Sequence, residues 1–291
     1  EKEWLKDYID FNTKKRTKCK TDYEKDLYKL MNNAVFGKSM ENVRDRISLR
    51  FALSEDKFNG YTSKPDFKRV ITGIGGENFR ILEMNKPSVN LNKPIFCGQA
   101  ILDLSKSHMY DFYYKTMKPK YGDKMKLVLT DTDSFIFGIE TKDFYEDMKD
   151  MKNQFDTSAY PKDHELHSTV NEKVLGKFKD ELCNKSFSAM SEVISLRSKV
   201  YAYKTDSGKC NKTLKGVNKI VKEKEIKFND YENCLIKGKI VSKKQTSIRS
   251  FQCKNYTIEQ TKKCLSPYDD KRYIKSCGVQ TLAYGHYSIQ H

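Results

Sequence analysis

The residues best able to do chemistry stand in one short stretch, Leu127-Val-Leu-Thr-Asp131-Thr-Asp133-Ser-Phe-Ile-Phe137. Two apolar, β-prone runs, 126–130 and 135–139, flank the polar tetrad Asp-Thr-Asp-Ser. That pattern predicts a hairpin of strands with its turn pushed out at one end. Asp131 and Asp133 are two apart, so in extended backbone both carboxylates point to the same side. Two converging carboxylates repel each other, and a divalent cation relieves the repulsion. Mg²⁺ takes oxygen ligands and commonly sits on one or two carboxylates plus substrate phosphates. Plain turn chemistry is the competing reading, because Asp and Ser also suit a tight turn.

A second set of residues needs a helix to position it. Thr21-Asp-Tyr-Glu24 has the pattern of a capping box, and it predicts a helix from Tyr23 to about Val43. Leu27, Met31 and Ala34 recur at helical spacing and predict a buried stripe. Lys29, Asn33 and Phe36 repeat that spacing on the opposite face, with Gly37 beside them. Such a face offers a cation to a triphosphate, and a ring and bare backbone to a base or sugar. An ordinary solvent-facing helix surface is the alternative.

These two stretches carry a resemblance. Lys29-Leu-Met-Asn-Asn33-Ala-Val-Phe36-Gly37 resembles the K-x-x-x-N-S-x-Y-G motif of family B DNA polymerases, which lies on the fingers helix over the incoming nucleotide. Asp131-Thr-Asp133-Ser134 resembles the DTDS motif of the palm in the same family, and the order and separation of the two motifs agree. The longer wording from Lys29 to Arg44 is similar to polymerases of Maverick/Polinton elements and related viruses. These belong to the protein-primed branch, in which a terminal protein supplies the first hydroxyl.

Further along, Lys199 and Tyr201 match the family's primer-gripping K-x-Y motif, expected on one strand face. Lys212-Thr-Leu-Lys215-Gly216-Val217 resembles the next DNA-contacting element of the branch. The stretches Ser266–Arg272 and Thr281–His286 resemble the end of Polinton-type polymerases.

The resemblance implies an α+β fold: a polymerase palm of antiparallel sheet with packed helices, a fingers helix and a thumb-like region. Residues 1–45 would hold the end of the palm linker and the fingers helix, and 46–98 a β-rich insertion. Residues 99–204 would form the palm with the Asp131/Asp133 and Lys199/Tyr201 motifs, and 205–291 a thumb-like DNA-holding region. The implied activity is DNA-directed DNA polymerisation, with primer-template DNA and dNTPs as partners and a terminal protein as a further one. Two Mg²⁺ ions are the implied cofactor. Asp131 and Asp133 would be the catalytic metal ligands, Asp133 the principal one. Lys29, Asn33, Phe36 and Gly37 would bind nucleotide, and Lys199, Tyr201 and Lys215 would bind DNA.

Departures from the family pattern bound this. Ala34-Val-Phe36 stands where the motif has Ser-x-Tyr, so a ring is kept without its hydroxyl. The D-x-x-S-L-Y-P-type strand that supplies the other metal-binding aspartate would have to precede Lys29. Asp7, Asp10 and Asp22 stand in the wrong context to replace it, and Asp103 follows Lys29 inside a helical pattern. The chain also opens at Glu1 without a Met, so it is expected to be the C-terminal part of a longer polymerase and inactive alone. A non-catalytic DNA-binding remnant of such an enzyme is the alternative.

Other segments carry coarser expectations. Residues 1–20 read as a solvated basic connector. Ile47–Leu53, Arg69–Ile71, Phe79–Met84 and Ser88–Leu91 read as short strands, and 99–117 as an amphipathic helix. Pro119–Asp123 reads as a turn, 142–155 as a polar helix, 174–181 as a strand and 218–240 as a basic helix.

Bulk composition agrees with a nucleic-acid partner. Fifty-five Lys and Arg against 39 Asp and Glu give a formal charge of +16, an excess that attracts polyanions. Eighteen Tyr and 16 Phe interleave with the lysines, and base stacking with phosphate neutralisation uses both kinds of residue. No apolar run approaches 18 residues and no signal peptide opens the chain, which predicts an intracellular protein. Eight cysteines lie far apart with no CxxC, arguing for free thiols rather than a zinc site.

Overall fold

The computed structural model describes residues 3–71, 79–183, 189–251, 254–268, 272–278 and 280–289. Over these the chain is α+β, and its three-stranded sheets are antiparallel. It divides into two compact units: Glu1–Met125, Ile139–Glu181 and Ile248–Tyr256 form one, and Lys126–Gly138, Leu182–Ser247 and Thr257–His291 the other. This partition runs across the four sequence segments.

The first unit opens with α1 (Lys6–Lys18) and α2 (Asp22–Ser39). Residues 6–18 are therefore a helix rather than a connector. Lys15, Arg16 and Lys18 fall in its last turn, where the helix dipole favours cations. Polar contacts join it to α2: Asn32 Nδ2 donates to Thr13 Oγ1 at 3.4 Å, and the Tyr8 hydroxyl to the Met31 carbonyl at 3.5 Å. The expected capping box forms, with Glu24 N–H donating to Thr21 Oγ1 at 3.3 Å and Thr21 N–H to the Glu24 carboxylate at 3.4 Å. The helix ends at Ser39 rather than near Val43.

The packed side of α2 differs from the Leu27/Met31/Ala34 stripe. Leu27 and Ala34 are exposed, while Tyr28, Met31, Asn32, Val35 and Phe36 are half-buried and Ser39 is buried. Two polar residues lie on this inner side: Asn32 donates through Nδ2 to Thr13, and the Ser39 hydroxyl donates back to the Phe36 carbonyl of its own helix at 2.8 Å.

Next come β1 (Ser48–Ala52), α3 (Glu55–Thr62), β2 (Phe67–Ile71) and β3 (Arg80–Met84). The strands form an antiparallel sheet in the order β1-β3-β2. Ala52, Leu82 and Met84 make a small core with Phe58, Tyr61 and Phe67 against it. Helix α3 was not expected, although its start is legible: Ser54 Oγ accepts from Lys57 N–H at 3.4 Å, and Glu55 and Asp56 occupy the first turn. Ser88–Leu91 is irregular rather than a strand.

Helix α4 (Ile95–Asp111) runs through a π-helical turn at Phe112–Met117 into α5 (Lys118–Tyr121). Met109, Phe112 and Met117 point inward, but Ile101 and Leu104 stay exposed. The turn expected at Pro119–Asp123 begins later, because Pro119 fits the first turn of α5. Gly122, at φ 54°, then redirects the chain.

β4 (Met125–Thr130) pairs with β5 (Phe135–Ile139), and α6 (Phe144–Asp150) follows, capped by Asp143. The strand expected over 174–181 is absent from these described residues. Lys173 (φ 58°) and Gly176 (φ 80°) turn the chain back on itself; only a single bridge from Phe178 to Phe155 remains.

In the second unit β6 (Met190–Arg197), β7 (Val200–Thr205) and β8 (Cys210–Leu214) make an antiparallel sheet in chain order. The single basic helix expected over 218–240 is two helices, α7 (Lys219–Lys224) and α8 (Phe228–Lys237). Phe228, Tyr231 and Cys234 of α8 are buried at helical spacing, in one core with Val200, Ala202 and Leu214. β9 (Val241–Phe251) pairs with β10 (Lys254–Leu265), and β11 (Tyr273–Ile274) with β12 (Thr281–Leu282). Asp269–Lys271 of the terminal motif and Cys253 lie outside the described residues. The seven described cysteines are free thiols, and no described helix is long and apolar enough to cross a membrane.

Candidate functional site

The β4–β5 connection puts the Asp-Thr-Asp-Ser tetrad in a tight turn. Asp131 N–H donates to the Ser134 carbonyl at 3.1 Å, and Asp133 N–H to the Asp131 carbonyl at 2.7 Å. Thr132 takes φ 62°, a left-handed conformation that a β-branched residue adopts only at a cost of about 1–3 kcal/mol. Asp133, Thr132 and Ser134 are exposed, and Asp131 is half-buried.

A second tight turn meets this one. Ser198 and Lys199 join β6 to β7, and Lys199 also takes a left-handed φ of 62°. Its ammonium reaches the Asp131 carboxylate at 2.5 Å across 68 residues of sequence. Lys199 thereby holds the Asp131 carboxyl below the usual aspartate range, against the opposing effect of burial; the Ser198 and Thr132 hydroxyls add to the lowering. The Asp131 side chain keeps 20% of its exposure and Lys199 45%, so the pair is open to solvent on the lysine side.

Lys199 is thus a turn residue, and it does not share a strand face with Tyr201 as the K-x-Y spacing suggested. Tyr201 is the second residue of β7, half-buried, with Ser195 and Thr213 as its cross-strand neighbours. Strand alternation turns it away from Val200 and Ala202, which enter the core. Lys215 follows the last residue of β8, and its N–H donates to the Lys199 carbonyl at 3.1 Å. Lys199 and Lys215 therefore leave the sheet at one end. Gly216, next in sequence, has φ 85°, and a Cβ built there would lie 3.0 Å from Lys262 Nζ. Lys262 is a cation at that end which motif reading missed; its only sequence signal is the Lys262-Lys263 pair late in a β-prone run.

In the first unit, Lys29, Asn33 and Gly37 line one exposed stripe of α2, each a helical turn apart. Nothing lies within 4 Å of a Cβ position on Gly37. Phe36 is half-buried on the packed side, so its ring does not complete that stripe. The helix must satisfy its contacts with α1 and α4 first.

Asp131 and Asp133 supply two oxygen donors on one turn, the kind Mg²⁺ prefers. Among the described residues no group of three or more His, Cys, Asp or Glu is placed to hold a metal ion. Asp103 is an exposed α4 residue 3.7 Å from Lys106, and Asp22 pairs with Lys25 at 3.0 Å. The site as described has two carboxylates, one of them ion-paired. No family model matches this chain, and neither does any curated protein or solved structure.

Proposed function

We propose that this chain is the palm, fingers and thumb-like portion of a DNA-directed DNA polymerase of the protein-primed kind, acting in replication of a viral or mobile element. The observation that carries the reading is the Lys199–Asp131 contact. Residues from two stretches that each resemble a polymerase motif, far apart in sequence, meet at 2.5 Å in one unit, which supports the reading. Lys215, from a third motif, is hydrogen-bonded through its backbone to Lys199.

On this reading Asp131 and Asp133 hold Mg²⁺, which supplies activation of a primer 3′-hydroxyl and neutralisation of the leaving pyrophosphate. Within the first unit, Lys29 would pair a nucleotide phosphate, with Asn33 and Gly37 on the same exposed stripe of α2. Phe36 supports that helix from its packed side. Lys199, Tyr201 and Lys215 hold the primer-template backbone, a contact that positions without reading sequence. On the resemblance, a further carboxylate would complete the metal site.

Mg²⁺-dependent primer extension tests this. The chain as it stands should be inactive. A longer version that carries a D-x-x-S-L-Y-P-type aspartate strand should extend primers, and Asp133→Ala should abolish that. Salt-sensitive binding of primer-template with no extension by either version would replace the polymerase reading with that of a DNA-binding remnant.

A further inference from the structure

We infer that Lys199 is an electrostatic latch that couples DNA to the metal site: it occupies Asp131 in the free chain and releases it when a nucleic-acid phosphate takes the ammonium. The inference rests on the reading of Asp131 and Asp133 as metal ligands and goes beyond it.

Charge is the first argument. The turn carries two carboxylates, and Lys199 cancels one of them at 2.5 Å. A divalent cation approaching the free chain therefore meets about half the negative charge that the sequence provides. Because an ammonium is a compact point charge, Lys199 cannot neutralise Asp131 and grip a phosphate in full at once.

Geometry is the second argument. Lys199 sits on a two-residue turn, with 45% of its side chain exposed while it holds the carboxylate. Lys215 is bonded to its carbonyl, and the ammonium of Lys262 lies against Gly216. Three cations thus mark the end of the sheet at which the acidic turn meets Lys199. A polyanion drawn to Lys215 and Lys262 arrives beside the one cation that masks Asp131.

Thermodynamic linkage then requires that DNA tighten metal binding and that metal tighten DNA binding by the same factor. The latch would leave the site weak for cations until a primer-template is in place.

The test measures Mn²⁺ binding to the full chain by electron paramagnetic resonance, at fixed salt, with and without primer-template DNA. Asp131→Asn/Asp133→Asn serves as the blank for Mn²⁺ held by DNA alone. In the unsubstituted chain, DNA should tighten Mn²⁺ binding roughly tenfold, within the usual range of coupling between sites. Lys199→Met should bind Mn²⁺ more tightly than the unsubstituted chain does without DNA, and lose the coupling. Lys199→Arg, which keeps the charge, should retain it. If DNA and Mn²⁺ both bind but Lys199→Met binds Mn²⁺ no more tightly, the latch is wrong and the polymerase reading stands. If DNA binds but the unsubstituted chain takes up no Mn²⁺ above the blank, the latch is wrong and the polymerase reading stands; if DNA does not bind either, both fall.

Discussion

At Glu83, on the central strand of the β1-β3-β2 sheet, a carboxylate only 6% exposed lies 2.7 Å from both Lys68 and Arg69. Lys68 first and Arg69 second hold its carboxyl below the usual glutamate range, against burial. A depressed carboxyl contributes stability that is present above the unfolded value, about 4.3, and is lost as pH falls through the folded one. Glu83→Gln should therefore destabilise the chain by about 1–3 kcal/mol near neutrality. Its thermal melts should converge with those of the unsubstituted protein as acidification carries the pH from the unfolded value of about 4.3 down through the depressed folded one. Both cations are half-exposed and can rehydrate, which keeps the loss at the lower end for a buried pair. Thr132 and Lys199 each hold a left-handed φ, a conformation that costs about 1–3 kcal/mol at a non-glycine residue.

Among the elements, α2 is positioned by its ends and its neighbours more than by its apolar residues. Thr21 and Glu24 cap its start, and near its other end α4 comes close at Gly98. A Cβ on Gly98 would stand 2.2 Å from Met40 Sδ and 2.3 Å from Met40 Cγ, far inside van der Waals contact. Gly98→Ala gains about 1 kcal/mol of helix propensity but forces the flexible, exposed Met40 side chain aside, so its net cost should stay within about 1 kcal/mol, seen as a slightly lower urea midpoint. Met40→Ala in the same chain should recover part of that loss, since the two side chains compete for one space. Independent losses that simply add would refute the packing argument.

For the molecule as a whole, a formal charge of +16 makes salt the decisive variable in any nucleic-acid complex. The logarithm of duplex affinity should fall linearly with the logarithm of salt concentration, by about 0.9 per phosphate contact. Replacing Lys199, Lys215 and Lys262 together by Met should flatten that slope by up to about 3, equally for unrelated DNA sequences. An unchanged slope would count against a phosphate-holding role for these three lysines.

Local rules were enough where a signal is contained in a few neighbouring residues. The Thr21–Glu24 cap, the hairpin around Asp131, the strands near 47–53 and 79–84 and the exposed Lys29/Asn33/Gly37 stripe could all be read from residue type and spacing. Capping, turn chemistry and strand alternation act within a span of about four residues. Tertiary contacts decided the rest. Which side of α2 is buried depends on α1 and α4, so Phe36 went inward while Leu27 stayed out. The reversal at Lys173 and Gly176 removed a strand that hydrophobic pattern alone favoured. Lys199 moved from a strand face into a turn, because β6 and β7 had to pair through it. Its meeting with Asp131 joins positions 68 residues apart, a distance that no periodicity spans and that only the folded arrangement of β4, β5, β6 and β7 closes.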